Sequence, residues 1–257
     1  MASSTRHALA ASLVGLLVVG TATAAAEEIL VASAVSLREP LAEIAQRFGR
    51  AHPDVRVRLS FGASSVLAAQ VRAGAPIDVL VAADERIVHA LAEEGIAGDA
   101  IAVAGNRLVV IQAEGATARI TSAEDLMRPS IRRIAVPAGA VPVGRYARGW
   151  LVSLGLLDKL ASRMVQTEHA RATLAAVDAG DADAAIVYAT DAKIARSARI
   201  AFEVPAAEQP RIVYAAARIA QARQSGDADA FLDFLTGPVA RQTLAAAGFS
   251  TGVGSPP

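Results

Sequence analysis

Residues 27–48 read EEILVASAVSLREPLAEIAQRF, an apolar strand pattern followed directly by a helical one. The run at 29–34 is short and apolar, which is typical of a buried strand. In residues 41–48 the apolar side chains recur at helical spacing, so that they share one face of a helix. A strand joined to a helix by a short loop is the building unit of α/β proteins.

The same alternation continues along most of the chain. Further strands are predicted at 55–61, 79–82, 108–112, 134–136, 164–165, 186–188 and 212–217. Helical patterns cover 65–73, 85–94, 145–154, 171–179, 228–236 and 240–246. Strands and helices that alternate with short connections predict parallel sheets covered by helices on both faces. The pattern therefore predicts an α/β fold, although it does not by itself divide the chain into two lobes.

The first 26 residues have the layout of a cleavable export signal. Residues 1–7 carry Arg6 and no acid, residues 8–19 are apolar, and small residues follow as far as Ala26. This order is typical of a secretory signal peptide, and the apolar run is shorter than the ~20 residues that span a bilayer. No cysteine follows the small residues, which argues against a lipid-modified N-terminus. We predict a signal peptide at 1–26 and an exported mature chain that begins at Glu27.

The charge balance and the lack of cysteine exclude several classes of protein. The chain has 25 Lys and Arg residues and 25 Asp and Glu residues, and loss of Arg6 with the signal leaves 24 − 25 = −1. Nucleic-acid binding needs clustered Lys and Arg, so no nucleic-acid partner is expected. Without cysteine, neither disulfides nor thiolate metal sites can form.

Four helix starts follow predicted strand ends, the place where open α/β sheets bind their ligands. They lie at Ser36, Ser64, Pro142 and Thr167, and Ser36 with Glu39 has the pattern of a capping box. The unpaired N–H groups and the dipole of a helix start attract anions. A site of hydroxyls and N–H groups alone favours a fully deprotonated oxyanion, because a proton on the anion would face another donor. The alternative for each serine is a simple helix cap, worth about 1 kcal/mol to the fold.

Other functional motifs are incomplete. Gly139 and Gly144 have the spacing of a phosphate-binding loop, but Arg145 stands where a lysine is required. Residues 62–66 lack the last glycine of a serine-nucleophile elbow. None of the histidines has metal-ligand spacing, and each is predicted to be a surface residue: His7, His52, His89 and His169.

A series of segments, taken in order, resembles the periplasmic molybdate-binding proteins of ABC uptake systems. The resemblance covers residues 27–251, and its most specific parts are GAPID at 74–78 and IVYATDA at 186–192. The other matching segments are AVSL at 34–37, FGASSVL at 61–67, GNRLVV at 105–110, VPVGRYA at 141–147 and FLDFL at 231–235.

This resemblance implies a type II periplasmic-binding-protein fold. Two α/β lobes, each a mostly parallel sheet flanked by helices, would be joined by crossing strands and would close on a ligand in the cleft between them. The implied boundaries are residues 27–106 plus 212–257 for lobe 1 and residues 107–211 for lobe 2.

The resemblance also implies the ligand and its contacts. Hydroxyl groups and backbone N–H groups would bind the anion, and they belong to Ser36, Ser64, Val143, Ala170 and Tyr188. The implied function is a periplasmic binding protein without catalysis that captures molybdate, and tungstate as well. It would deliver the anion to a permease driven by a cytoplasmic ATPase. No cofactor and no resident metal are expected, and the chain is expected to be a monomer.

Three alternatives stay open. Sulfate or phosphate would use the same kind of site, in which case the cavity size decides between these anions and molybdate. An exported serine hydrolase would use Ser36 or Ser64 as its nucleophile, with His169 as the only candidate base. A pure interaction module would show no saturable anion binding.

Overall fold

The computed structural model describes residues 27–252, in which ten strands alternate with nine α-helices. The predicted signal peptide at 1–26 lies outside the described residues, as do residues 253–257. The strands are β1 (Glu27–Ala34), β2 (Val55–Gly62), β3 (Val79–Ala82), β4 (Ile101–Asn106), β5 (Leu108–Ala113), β6 (Ile134–Pro137), β7 (Met164–Thr167), β8 (Ala184–Tyr188), β9 (Ala198–Glu203) and β10 (Ile212–Arg218). The helices are α1 (Arg38–Ala51), α2 (Ser64–Arg72), α3 (Glu85–Glu93), α4 (Pro142–Ser153), α5 (Leu157–Leu160), α6 (Ala170–Asp178), α7 (Ala189–Ala192), α8 (Ser225–Thr236) and α9 (Pro238–Ala247).

The strands form two five-stranded sheets of the same design. The first has the order β2-β1-β3-β10-β4, and the second has the order β7-β6-β8-β5-β9. In each sheet one strand is antiparallel to its neighbours, β10 in the first and β5 in the second. We call the first sheet and its helices lobe 1, and the second sheet and its helices lobe 2. The predicted α/β fold with two mostly parallel sheets is confirmed.

The chain passes from one sheet to the other twice. The first passage is Arg107, between β4 and β5, and the second is the segment 204–211, between β9 and β10. The side-chain amide of Gln209 joins the two passages: its Oε1 accepts from the Leu108 N–H at 2.8 Å, and its Nε2 donates to the Leu108 carbonyl at 2.9 Å. The exact residue boundaries predicted for the two lobes stay a prediction.

The periodicity of residues 27–48 places their apolar side chains in the core. Ile29 and Val31 of β1 are fully buried, as are Leu41, Ile44 and Phe48 on one face of α1. These residues belong to one continuous apolar cluster, so burial of this face holds α1 against the first sheet. No helix within residues 27–252 combines the length and the apolar character needed to cross a membrane.

Candidate functional site

A small cavity lies between the lobes, where the carboxyl ends of the parallel strands of both sheets meet helix starts. The space in it that a water-sized sphere can occupy is ≈ 20 Å³, which suits a small ion rather than a ligand of nucleotide size. All five predicted site residues line it. The lining residues of lobe 1 are Ala34, Val35, Ser36, Gly62, Ala63, Ser64 and Ala83, and those of lobe 2 are Val141, Pro142, Val143, His169, Ala170 and Tyr188. This lining contains no Asp, Glu, Lys or Arg side chain.

Ser36 takes its orientation from a chain of hydrogen bonds rather than from a helix cap. The Asn106 amide nitrogen donates to Thr190 Oγ1 at 2.8 Å and lies 3.3 Å from Tyr214 Oη. Tyr214 Oη in turn lies 2.8 Å from Ser36 Oγ. If Tyr214 accepts from Asn106, its own proton points to Ser36, and the Ser36 proton is left for the cavity. Burial raises the pKa of Tyr214, so its hydroxyl stays protonated at neutral pH.

The capping box predicted for Ser36 and Glu39 is wrong. Ser36 lies in a 3₁₀ turn, and helix α1 begins two residues later, at Arg38, without a side-chain cap. The Glu39 carboxylate pairs instead with Arg171 of lobe 2. Both side chains that the local pattern assigned to a cap therefore bind residues that are distant in the sequence.

Ser64 is the first residue of α2 and is 1% exposed. Its Oγ accepts a hydrogen bond from the Ala83 N–H at 3.0 Å, which links α2 to the end of β3. Because that contact uses the oxygen as an acceptor, the hydroxyl proton is available to an acceptor in the cavity. Ser64 therefore presents a donor whose position is set by the neighbouring strand.

Val143 presents a backbone N–H at the start of α4. The first hydrogen bond of this helix runs from the Arg145 N–H to the Val141 carbonyl, and α4 has no side-chain cap. The N–H groups of the first turn are thus available, as at any uncapped helix start. A Cβ at Gly144 would overlap the backbone oxygens of Pro137 and Ala138, so only glycine lets α4 start this close to the end of β6.

Ala170 begins α6, and His169 caps that helix. His169 Nδ1 accepts from the Ala172 N–H at 3.1 Å, and the His169 carbonyl accepts from the Thr173 N–H. The cap predicted at Thr167 is therefore misplaced by two residues. The prediction of His169 as a surface residue is also wrong, because this half-buried side chain lines the cavity. The Ala170 N–H lies before the first helical hydrogen bond and remains a donor.

Tyr188 ends β8, and its hydroxyl has no hydrogen-bond partner among residues 27–252. The side chain is 1% exposed, and burial raises its pKa well above the usual range, so the hydroxyl stays protonated at neutral pH. A buried hydroxyl without a partner costs roughly 1–3 kcal/mol. An acceptor bound in the cavity would remove that cost.

Two buried acids that lie near the lining residues in sequence are paired with arginines. Asp84, which is fully buried, pairs with Arg145, and the fully buried Asp191 lies 2.9 Å from Arg171. Burial raises the pKa of Asp191 to about 7, and Arg171 opposes that rise. Buried acids therefore face arginines around the cavity, while its wall has no Asp, Glu, Lys or Arg side chain.

The chemistry expected of a hydrolase or a metal centre does not match this arrangement. Ser36 bonds to Tyr214 and Ser64 to the Ala83 N–H, while the Nδ1 atom of His169 is occupied by the α6 cap. Neither serine is therefore paired with a base in the described part of the chain. Within residues 27–252 no group of three His, Cys, Asp or Glu side chains could hold a metal ion.

Comparison with known proteins identifies relatives over most of the chain. The profile of a family described as bacterial extracellular solute-binding protein matches residues 29–250. The molybdate-binding protein ModA of Haemophilus influenzae is 29% identical over 90% of this chain and 93% of its own length. The ModA protein of Mycobacterium bovis is 31% identical over 89% of this chain and 86% of its own. The resemblance found from the sequence segments is thus confirmed.

Two solved structures show the same architecture. The periplasmic molybdate-binding protein of Azotobacter vinelandii has a TM-score of 0.77 at 26% identity and covers 86% of this chain and 98% of its own. The sulfate-binding protein SubI of Mycobacterium tuberculosis has a TM-score of 0.79 at 18% identity over 89% and 88% of the two chains, a likeness of fold alone. The predicted type II periplasmic-binding-protein fold is confirmed. The chain belongs to the family of bacterial extracellular solute-binding proteins, which are transport proteins rather than enzymes.

Proposed function

We propose that this protein captures molybdate, and tungstate as well, in the cavity between its lobes. The observation that carries the proposal is the lining itself: three buried hydroxyls, of Ser36, Ser64 and Tyr188, and two helix-start N–H groups, of Val143 and Ala170, around one uncharged cavity. The relatives named for molybdate binding support this choice among the oxyanions.

The donors favour a dianion that carries no proton. Each hydroxyl on the lobe 1 side already uses its oxygen within the protein, and backbone N–H groups cannot accept at all. A protonated phosphate would bring one O–H to a wall whose backbone N–H groups cannot accept it, so that proton would have to use a hydroxyl oxygen in place of a donor contact. Sulfate is fully deprotonated like molybdate but smaller, so its oxygens would reach fewer of the five donors at once.

The expected affinity follows from the number of donors. A hydrogen bond to a charged group contributes about 1.5–3 kcal/mol, so five donors contribute roughly 7–15 kcal/mol before the costs of dehydration and lobe closure. A net of ~10 kcal/mol corresponds to sub-micromolar binding.

Delivery to an ABC permease is the physiological role we infer for the bound anion. The signal-like residues 1–26 and the family support action outside the cytoplasm, in the periplasm, and a cytoplasmic ATPase would drive the permease. We propose that the chain acts as a monomer, without cofactor or resident metal, and that its lobes comprise residues 27–106 with 212–257 and residues 107–211.

The test is calorimetric titration of residues 27–257 with molybdate, tungstate, sulfate and phosphate in turn. We expect one-to-one binding of molybdate and tungstate in the sub-micromolar range, with little or no heat from sulfate or phosphate. Tight binding of sulfate would mean that sulfate, the smaller anion, is the ligand instead of molybdate. No response to any of the four would contradict an oxyanion site altogether.

A further inference from the structure

Two arginines of lobe 2 reach across the cleft on either side of the cavity. Arg145, near the start of α4, pairs with Asp84 of lobe 1. Arg171, in the first turn of α6, pairs with Glu39 of lobe 1. The two lobe 2 helices that present backbone N–H groups to the cavity, α4 and α6, therefore each also have an arginine that contacts lobe 1. Neither arginine is among the residues that line the cavity.

The two carboxylate oxygens of Asp84 contact residues of different lobes. Oδ1 accepts from the Arg86 N–H at 3.0 Å and caps α3, while Oδ2 faces Arg145. The side chain of Asp84 is 1% exposed, so its charge has almost no contact with solvent in this arrangement of the lobes. A buried charge of this kind needs partners: Arg86 of the same lobe lies 3.5 Å from Oδ1, and Arg145 adds a second arginine from the other lobe.

Arg171 contacts one acid of its own lobe and one acid of the opposite lobe. Its Nε lies 2.9 Å from Oδ1 of Asp191, which belongs to the same lobe and is fully buried. Its Nη2 meets Glu39, whose side chain is 55% exposed. The contact with Asp191 can persist when the lobes separate, whereas the contact with Glu39 requires them to be together.

We propose that the two interlobe ion pairs, Arg145–Asp84 and Arg171–Glu39, are closure pairs: they stabilise the closed cleft and so set how long the anion is retained. This inference rests on the proposed function, because it requires that an anion binds in the cleft. An anion leaves only when the lobes separate, so a contact made only in the closed state slows release and leaves capture almost unchanged. These four residues are positioning residues, since they act without touching the anion.

Single variants with matched controls test the kinetic consequence. Arg145→Met removes a closure pair, and Arg148→Met is its control, because Arg148 lies in the same helix and its hydrogen bonds in the described structure go to Met164 and Pro137 of its own lobe. Stopped-flow mixing with molybdate, followed by tryptophan fluorescence, measures both rate constants. We expect Arg145→Met to raise the dissociation rate roughly tenfold or more with an unchanged association rate, and Arg148→Met to match wild type.

The second pair has a control in its own helix. Glu39→Gln removes the contact with Arg171, whereas Glu43→Gln removes a 2.6 Å pair with Arg47 that lies wholly within α1. We expect Glu39→Gln to raise the dissociation rate about threefold, because this pair is partly exposed, and Glu43→Gln to leave it unchanged. Equal rates in both variants and their controls would overturn the inference.

A double-mutant cycle separates pairing from general damage. Asp84→Asn keeps an oxygen that can cap α3 and loses only the charge. If Asp84 and Arg145 act on each other, Asp84→Asn combined with Arg145→Met raises the dissociation rate no more than the larger single change. Independent effects, which multiply, would contradict the pairing.

Small-angle X-ray scattering distinguishes failure of this inference from failure of the proposed function. Wild type and the Glu39→Gln/Arg145→Met variant are measured with and without molybdate, against the scattering calculated for the structure. Suppose that the wild type is closed with and without molybdate and that the double variant is expanded. This result would support the closure pairs and contradict the proposed function. Scattering that is the same in the wild type and the double variant under both conditions, together with equal dissociation rates, would overturn the closure pairs.

Discussion

The two walls of the cavity offer the same kind of donor but differ in how the protein holds it. On the lobe 1 side, the hydroxyls of Ser36 and Ser64 are hydrogen-bonded to Tyr214 and to the Ala83 N–H. On the lobe 2 side, the Tyr188 hydroxyl has no partner in the described structure, and the N–H groups come from helix starts. Lobe 1 is therefore organised before a ligand arrives, whereas lobe 2 gains its missing acceptor only from a ligand. This difference favours capture on lobe 1 followed by closure of lobe 2.

The start of α4 is the most sensitive part of the lobe 2 wall. Gly144→Ala would place a Cβ against the backbone of Pro137 and Ala138, so the loop before Val143 has to move. We expect the free energy of unfolding to fall by roughly 2–3 kcal/mol and molybdate binding to become undetectable by calorimetry. Gly149→Ala is the control, because a Cβ there meets no atom within 4 Å and the substitution should stabilise the helix. Equal behaviour of the two variants would show that the α4 start tolerates displacement.

Removing a hydroxyl from the organised wall tests lobe 1. Ser64→Ala and Ser36→Ala should each weaken molybdate binding by tenfold or more, since a hydrogen bond to an anion contributes about 1.5–3 kcal/mol. Ser65→Ala, one residue further along α2, provides a control at a side chain that does not line the cavity. Calorimetric titration gives the dissociation constants. An unchanged constant for Ser36→Ala would remove that residue from the site.

The two fully buried tyrosines, Tyr188 and Tyr214, sharpen the comparison, because within residues 27–252 only the Tyr214 hydroxyl has hydrogen-bond partners. Tyr188→Phe should weaken molybdate binding about tenfold and leave the stability of the ligand-free protein unchanged or higher, since it removes an unpaired buried hydroxyl. Tyr214→Phe should lower the free energy of unfolding by about 1–2 kcal/mol, because it deletes the contacts to Ser36 and Asn106. Urea unfolding without ligand, together with titration, measures both effects. A loss of stability in Tyr188→Phe without a change in affinity would make Tyr188 a packing residue.

The pH dependence of stability tests a buried carboxyl on the lobe 2 side. The pKa of Asp191 is about 7 in the folded protein, above the ~3.9 of an unperturbed aspartate. The folded state therefore holds the proton more tightly. The contribution of this group to stability is present below about pH 4 and is lost as the pH rises towards 7.

The variant Asp191→Asn lacks this titration. Between pH 5 and pH 8 it should lose less stability than the wild type, as measured by urea unfolding at the two pH values. Parallel curves for the two proteins would mean that Arg171 keeps Asp191 ionised throughout this range.

Much of the fold could be predicted because it depends on local pattern. The apolar face of 41–48 and the strand at 29–34 lie in α1 and β1, and both sheets are mostly parallel, as the alternation indicated. Two strands were missed, β4 and β9, because the apolar part of β4 is only the short, alanine-rich run 101–104 and β9 mixes apolar with charged residues. β4 (Ile101–Asn106) includes alanines and a glycine, and β9 (Ala198–Glu203) is largely exposed at a sheet edge.

The site was predicted less evenly. All five predicted residues line the cavity: the two serines and the helix starts after strands are visible in the chain, whereas the assignment of Val143, Ala170 and Tyr188 came from the family resemblance. The roles of the surrounding residues were not visible: His169 as a cap, Asn106 and Tyr214 behind Ser36, and Arg145 facing Asp84. The only signal in the sequence for Tyr214 was its place in a buried strand, where a tyrosine hydroxyl needs a partner.

The sequence by itself determined the alternation of strands and helices and the donors that follow the strands, because hydrophobic period and helix starts are properties of neighbouring residues. Only the tertiary structure decided which donors meet and which of them stay unpaired. Ser36 and Tyr214 are 178 residues apart, and the closure pairs join residues of different lobes. The first contact depends on where β10 lies in the lobe 1 sheet, and the closure pairs depend on how the two lobes face each other; no local pattern encodes either.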